Sequence, residues 1–148
     1  MLYLIDGNNL MGRPAGPEAK RGQQRLLAEL VAFLRPRKDR AIVVFDGADP
    51  EQQVPPSYLH GRLQVQWSGT GSADAVLRRR MAASGAPAAL TLVSEDRELI
   101  TYARARRIHA LGRGGWADLL IQAAERERSQ AGPIDVDDWL RFFDGKDS

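Results

Sequence analysis

The chain begins with an unbroken apolar run, Leu2-Tyr3-Leu4-Ile5, that stops at Asp6-Gly7-Asn8-Asn9. A short run without polar interruption, ended by an acid and a glycine, predicts a buried strand that delivers a carboxylate at its C-terminal end. The pattern recurs at Ile42-Val43-Val44-Phe45, followed by Asp46-Gly47, and slightly displaced at Leu90-Thr91-Leu92-Val93, followed by Ser94-Glu95-Asp96. Leu63-Gln64-Val65-Gln66-Trp67 alternates with period two and predicts another strand, and Ile108 to Leu111 a short last one.

Helical periodicity fills the intervals. Leu26, Leu27, Leu30, Val31 and Leu34 share one stripe over Arg25 to Leu34, and Pro36 ends it. Ser68-Gly69-Thr70-Gly71 predicts a turn into a helix beginning at Ser72, with Ala73, Val76, Leu77 and Met81 on its buried face. Ser84-Gly85-Ala86-Pro87 breaks that helix, and Ser94 is placed to cap the next, which runs through Leu99, Ile100 and Ala103. Gly47 to Pro56 predicts a polar, proline-rich loop, and Gly112 to Gly115 a second loop ahead of a helix from Trp116 to about Arg128. Strands alternating with helices give an α/β class with a mainly parallel sheet covered on both faces. One domain is expected over residues 1–131, followed after Gly132-Pro133 by an acidic segment, 132–148, in which Val136, Trp139, Leu140 and Phe143 fit one face of a short helix.

Composition narrows the chemistry. A chain of 148 residues is the size of one domain. With no cysteine and only His60 and His109, a thiolate or histidine-rich zinc centre is disfavoured, so any metal would be held by oxygen. No apolar run reaches the length of a membrane span or signal peptide, and a soluble, cytoplasmic protein is expected. The net charge of +2 hides an asymmetry: residues 135–148 carry −3 and residues 1–134 carry +5. Arginines cluster at Arg35 to Lys38, Arg78 to Arg80 and Arg104 to Arg107. They suit the phosphates of a polyanion, or equally solvated helix faces and C-termini.

Three strand ends carrying acids imply one crevice, since open α/β sheets bind ligands at the carboxyl ends of their strands. Asp74, in the first turn of its helix, adds a fourth acid. Clustered carboxylates either take up protons or bind a cation, and hard divalent ions such as Mg²⁺ or Mn²⁺ match oxygen ligands. Asp74 and Asp96 have a structural alternative as dipole-favoured acids of a first helical turn, and Asp46-Gly47 as a plain turn. Asp6 has fewer structural reasons to stand where it does. Gly69 to Ser72 lacks the lysine and spacing of a P-loop, and Asp6-Gly7-Asn8 lacks the second aspartate of a phosphoaspartate enzyme.

Ile5-Asp6-Gly7-Asn8-Asn9, Val44-Phe45-Asp46-Gly47, Ser72-Ala73-Asp74 and Val93-Ser94-Glu95-Asp96, in this order and spacing, resemble the NYN-domain proteins of the YacP type, a branch of the PIN-like nucleases. The resemblance covers Met1 to about residue 128. It implies a PIN-like three-layer α/β/α sandwich around a central, mainly parallel sheet, with a metal-dependent ribonuclease site at the strand C-termini. It carries over to Asp6, Asp74 and Asp96 as metal-site carboxylates, to Asn9 as a polar site residue and to Asp46 as an assisting acid. Family members often place another acid one turn after the second-motif aspartate. Here that position is Arg78, which would either pair with Asp74 or meet a substrate phosphate.

The expectation is a divalent-metal-dependent endoribonuclease in which Asn8, Arg13, Arg78 and Arg97 contact the RNA. The family includes an mRNA-cleaving, ribosome-associated endonuclease, so mRNA on the ribosome is an implied partner. Two alternatives stand beside it: a non-catalytic RNA-binding or ribosome-associated module, favoured by Arg78, and a protein-interaction role through the tail with Trp139, Phe142 and Phe143. A homodimer is compatible with either.

Overall fold

Alternate residues of each apolar run face opposite sides, which is what burial on both faces of a sheet requires. Tyr3, Ile5, Ala41, Val43 and Phe45 enter one core with Leu63 and Val65, whereas Leu4, Ile42, Val44, Leu90 and Leu92 enter the other. The computed structural model describes residues 1–12, 17–48 and 57–131. Its strands are β1 (Leu2–Asp6), β2 (Arg40–Phe45), β3 (Ser57–Tyr58), β4 (Leu63–Trp67), β5 (Leu90–Val93) and β6 (His109–Leu111). Among the described residues they form one sheet in the order β3-β4-β2-β1-β5-β6, parallel except for the antiparallel pairing of β3 with β4.

Helices cover both faces. α2 (Pro17–Leu34) and α5 (Arg113–Ala131) close the first core with Leu26, Leu30, Phe33 and Trp116. There Tyr3, Phe33 and Trp116 meet edge to face at centroid separations of 5.1–5.9 Å, a favoured aromatic geometry. α3 (Ala73–Ala83) and α4 (Arg97–Ala105) close the second with Val76, Leu77, Met81, Leu99 and Ala103. The result is the expected α/β/α sandwich. No described helix is long and apolar enough to cross a membrane.

Some boundaries differ from the sequence expectation for local reasons. α2 starts at Pro17, eight residues before Arg25, because Pro at a first helical position and Glu, Ala, Lys, Arg and Gln after it favour helix without an apolar stripe. α5 starts at Arg113 inside the expected Gly112 to Gly115 loop, since the Arg113 N–H donates to the Glu95 carboxylate, an interaction invisible to local pattern. A short helix, α1 (Gly7–Met11), follows β1 and ends at Gly12, whose φ of 76° favours glycine. The expected loop at 49–56, Arg13 and the amphipathic segment 132–148 lie outside the described residues.

The strand order gives the site its place. The chain winds from β1 outward through β2 to β4, then returns to the other side of β1 for β5 and β6. The direction reverses between β1 and β5, which is the topological switch point of the sheet.

Candidate functional site

Asp6 ends β1 at that switch point and is only 6% exposed. Ile5 is in register with Val93, so the next residues, Asp6 and Ser94, leave neighbouring strands side by side. The Ser94 hydroxyl, fully buried, donates to Asp6 Oδ2 at 2.9 Å. The same Ser94 oxygen accepts from the Asp96 N–H at 3.1 Å. Ser94 is therefore spent on orienting the Asp6 carboxylate, and Asp96 takes the helix-capping role expected of Ser94. Asp96 Oδ1 accepts from the Glu98 and Leu99 N–H groups at 2.9 and 3.3 Å, satisfying two orphan donors at the start of α4.

The two asparagines after Gly7 tie β1 to both its neighbours. Asn8 Oδ1 accepts from the Asp46 N–H at 2.7 Å, at the end of β2. Asn9 Oδ1 accepts from the Glu95 N–H at 3.0 Å, just past the end of β5. The Arg113 guanidinium adds a bond to the Asn9 carbonyl at 2.9 Å. In each asparagine the carboxamide oxygen is committed to backbone, which makes Asn8 and Asn9 braces that fix the spacing of three strand ends. Gly7 is required for packing: a Cβ there would lie 2.5 and 2.6 Å from Phe45 ring carbons.

Asp46 acts on the next element. Its Oδ1 accepts from the Ala73 N–H at 2.7 Å, while Ser72 Oγ accepts from Ala75 N–H at 3.1 Å. The start of α3, with Asp74 in its first turn, is thus fastened to the end of β2. Asp74 Oδ2 pairs with Arg78 Nε at 2.8 Å across one helical turn, the ion pair foreseen from the spacing. Asp74 Oδ1 is buried and has no hydrogen-bond partner among the described residues. A buried carboxylate oxygen left in that state carries a desolvation cost.

Arg78 also approaches the Tyr102 ring and, with Arg97, Glu98, Thr101 and Tyr102, lines a cavity of about 460 Å³ between α3 and α4. Arg78 and Arg97 thus meet at one place. His60 lies in a turn and His109 is an exposed strand residue, neither near these acids by hydrogen bond. Arg113 and Tyr102 are participants not singled out from sequence, Glu95 was quoted only within its motif, and Ser94 was expected only as a helix cap. Ser94 could have been found from strand register alone; the roles of Glu95 and Arg113 depend on how α5 returns to the crevice.

Among the described residues no three acidic or imidazole side chains are grouped closely enough to form a metal cage by themselves. The donor set still suits a hard cation of the Mg²⁺ type, which binds through one or two carboxylates and completes its shell with water and substrate phosphate. Asp74 Oδ1 is the oxygen that such an ion would satisfy.

The sequence matches no protein-family model and no curated protein. Similarity emerges in three dimensions. The crystal structure of Rae1 (YacP) from Bacillus subtilis superposes with a TM-score of 0.64 at 15% identity, over 99% of this chain and 83% of that one. A single-substitution variant of the same protein gives a TM-score of 0.61 at 15% identity, over 84% of this chain and 77% of the other. Sequence identity this low with the secondary elements in the same arrangement means that the backbone architecture is shared: the chain has the fold of Rae1 (YacP), an α/β/α sandwich.

Proposed function

We propose that this protein is a divalent-metal-dependent endoribonuclease whose site lies at the C-terminal end of β1. The reading is carried by two separate observations: a buried, hydroxyl-oriented Asp6 at the switch point, and an Asp74 Oδ1 that is buried with no hydrogen-bond partner among the described residues. Of the expected ligands Asp6, Asp74 and Asp96, which are not grouped closely enough to cage an ion together, one or two would hold Mg²⁺ or Mn²⁺, with water and substrate phosphate completing its shell. When bound, the ion would supply charge stabilisation at a phosphodiester and a water of lowered pKa. The chain's own contribution is positioning: Ser94 orients Asp6, Asp46 anchors the start of α3 below Asp74, and Asn8 and Asn9 hold the strand ends at fixed separation. Arg78, Arg97 and Arg13 would meet the RNA backbone, with an mRNA, in the setting of the ribosome, as the substrate that the family resemblance suggests.

A second reading, a non-catalytic RNA-binding module, draws on the Asp74–Arg78 pair. Magnitude decides against giving that pair much weight. Its side chains are 37% and 34% exposed, and an exposed pair at i, i+4 contributes about 0.3–0.5 kcal/mol. A divalent cation or a phosphate competes easily with so weak a contact.

The test is a titration of Mn²⁺ and Mg²⁺ against cleavage of a labelled structured RNA and a matched single-stranded DNA. Metal-dependent RNA cleavage that falls by about a hundredfold or more in Asp6→Asn is expected, because the metal contributes several kcal/mol at tenfold per 1.36 kcal/mol. Unchanged cleavage in that variant rejects the site. RNA binding without cleavage in the wild type, with cleavage appearing in Arg78→Gln, would establish the second reading.

A further inference from the structure

We infer that Tyr102 is a base-stacking subsite for single-stranded RNA, one step along the α3–α4 groove from the proposed cleavage site. The inference rests on the RNA-cleaving reading for its ligand class and on separate observations for its place. Arg78 joins the two regions physically: its Nε is 2.8 Å from Asp74 Oδ2 while its guanidinium carbon lies 5.0 Å from the Tyr102 ring centroid. Arg106, an exposed residue one helical turn after Tyr102, places its guanidinium 4.5 Å from the same centroid. The groove of about 460 Å³ beside them is lined by Arg78, Arg97, Glu98, Thr101 and Tyr102.

A half-buried tyrosine attended by two guanidiniums is an arrangement with two states available. Without a ligand the cations sit against the ring quadrupole, a contact of modest strength at an exposed site. Guanidinium is a planar donor fork that matches phosphate geometry, so a polyanion entering the groove offers Arg78 and Arg106 a stronger partner than the ring. Their departure bares an aromatic surface at the moment that phosphates arrive. Cationic side chains that track a backbone, together with an aromatic face on which a base lies, are the two components of single-strand recognition. Arg78 and Arg97 in the lining, with Arg106 beside the ring, outnumber Glu98 and the Asp74 carboxylate paired with Arg78, which leaves the groove cationic. Thr101 is not part of the recognition, because its hydroxyl donates to the Arg97 carbonyl at 2.8 Å.

Binding of a fluorescein-labelled single-stranded oligoadenylate, and of the same ribose-phosphate strand made abasic, is measured by anisotropy in EDTA, so that no cleavage occurs. The proteins are the wild type, Tyr102→Ala, Tyr102→Phe and Arg106→Gln, each checked for folding by circular dichroism. Tyr102→Ala should weaken binding of the oligoadenylate by about tenfold or more, Tyr102→Phe should restore it, and neither should alter binding of the abasic strand. Arg106→Gln should lower the salt dependence of binding, the mark of a lost phosphate contact, and Tyr102→Ala should not. Equal weakening toward intact and abasic strands, or no weakening at all, overturns the inference. Should Tyr102→Phe fold yet bind like Tyr102→Ala, the ring's stacking role is likewise refuted. A protein that binds through Tyr102 but never cleaves with metal fails the nuclease reading alone, and one that cleaves with Tyr102→Ala binding unchanged fails the subsite alone.

Discussion

Replacing Gly7 by alanine tests whether the junction between Asp6 and the asparagine braces is held by packing. The added Cβ would stand 2.5 and 2.6 Å from Phe45 Cε1 and Cδ1 and 3.1 Å from Val43 Cγ2. Phe45 cannot swing aside. It is 1% exposed and its ring lies 5.2 Å from that of Trp67, so relief requires β1 and α1 to move away from β2. Overpacking of a filled core costs about 1–3 kcal/mol, and alanine's helical advantage over glycine offsets at most about 1 kcal/mol, less at the first position of α1. A net loss of about 1–2 kcal/mol follows, a fall in midpoint temperature of roughly 3–6 °C for a domain of this size. Thermal and urea unfolding of Gly7→Ala, Phe45→Leu and the double variant form a cycle. The smaller side chain introduced by Phe45→Leu should recover part of the loss caused by Gly7→Ala, with a coupling of about 1 kcal/mol. Wild-type stability in Gly7→Ala, or costs that simply add within about 0.5 kcal/mol, would refute the steric argument.

Two further outcomes are expected. Ser94→Ala removes the hydroxyl that donates to Asp6 and accepts from Asp96 N–H, and should cost about 1.5–3 kcal/mol in urea unfolding, the range for a hydrogen bond to a charged group; a midpoint equal to wild type would show that Asp6 is oriented without it. Burial raises the Glu29 carboxyl above its ordinary value of 4.5, with Arg25 opposing. The folded state therefore binds that proton more tightly than the unfolded one, and the charged side chain disfavours folding above the raised folded value. Because Glu29 lies on the exposed side of α2, solvent screens most of this effect, so Glu29→Gln should unfold at only slightly higher urea than wild type at neutral pH, with the advantage fading as the pH drops below 4.5; a large advantage, or an equal one at both extremes, would contradict the burial argument.

The layered α/β plan was legible because two-sided burial leaves unbroken apolar runs and covering helices leave stripes, so β1, β2, β4, β5 and the faces of α3 and α4 follow from pattern. The first two turns of α2 were not legible, since a solvated helix start has no apolar period and declares itself only through propensity. Asp6, Asp46, Asp74 and Asp96 could be named from strand ends and helix starts, and the Asp74–Arg78 pair from spacing. Their individual duties could not. Asp96 takes the capping role expected of Ser94, and Ser94 orients Asp6, because strand register sets Ser94 beside Asp6. Asp46 serves the start of α3 because the chain returns there after 27 residues, and Asn8 and Asn9 become braces because β2 and β5 flank β1. Local sequence determines which elements form and which chemistry they carry, through short-range periodicity and turn preference. Which carboxylate meets which donor depends on strand order and register, and these are settled only when distant segments pack.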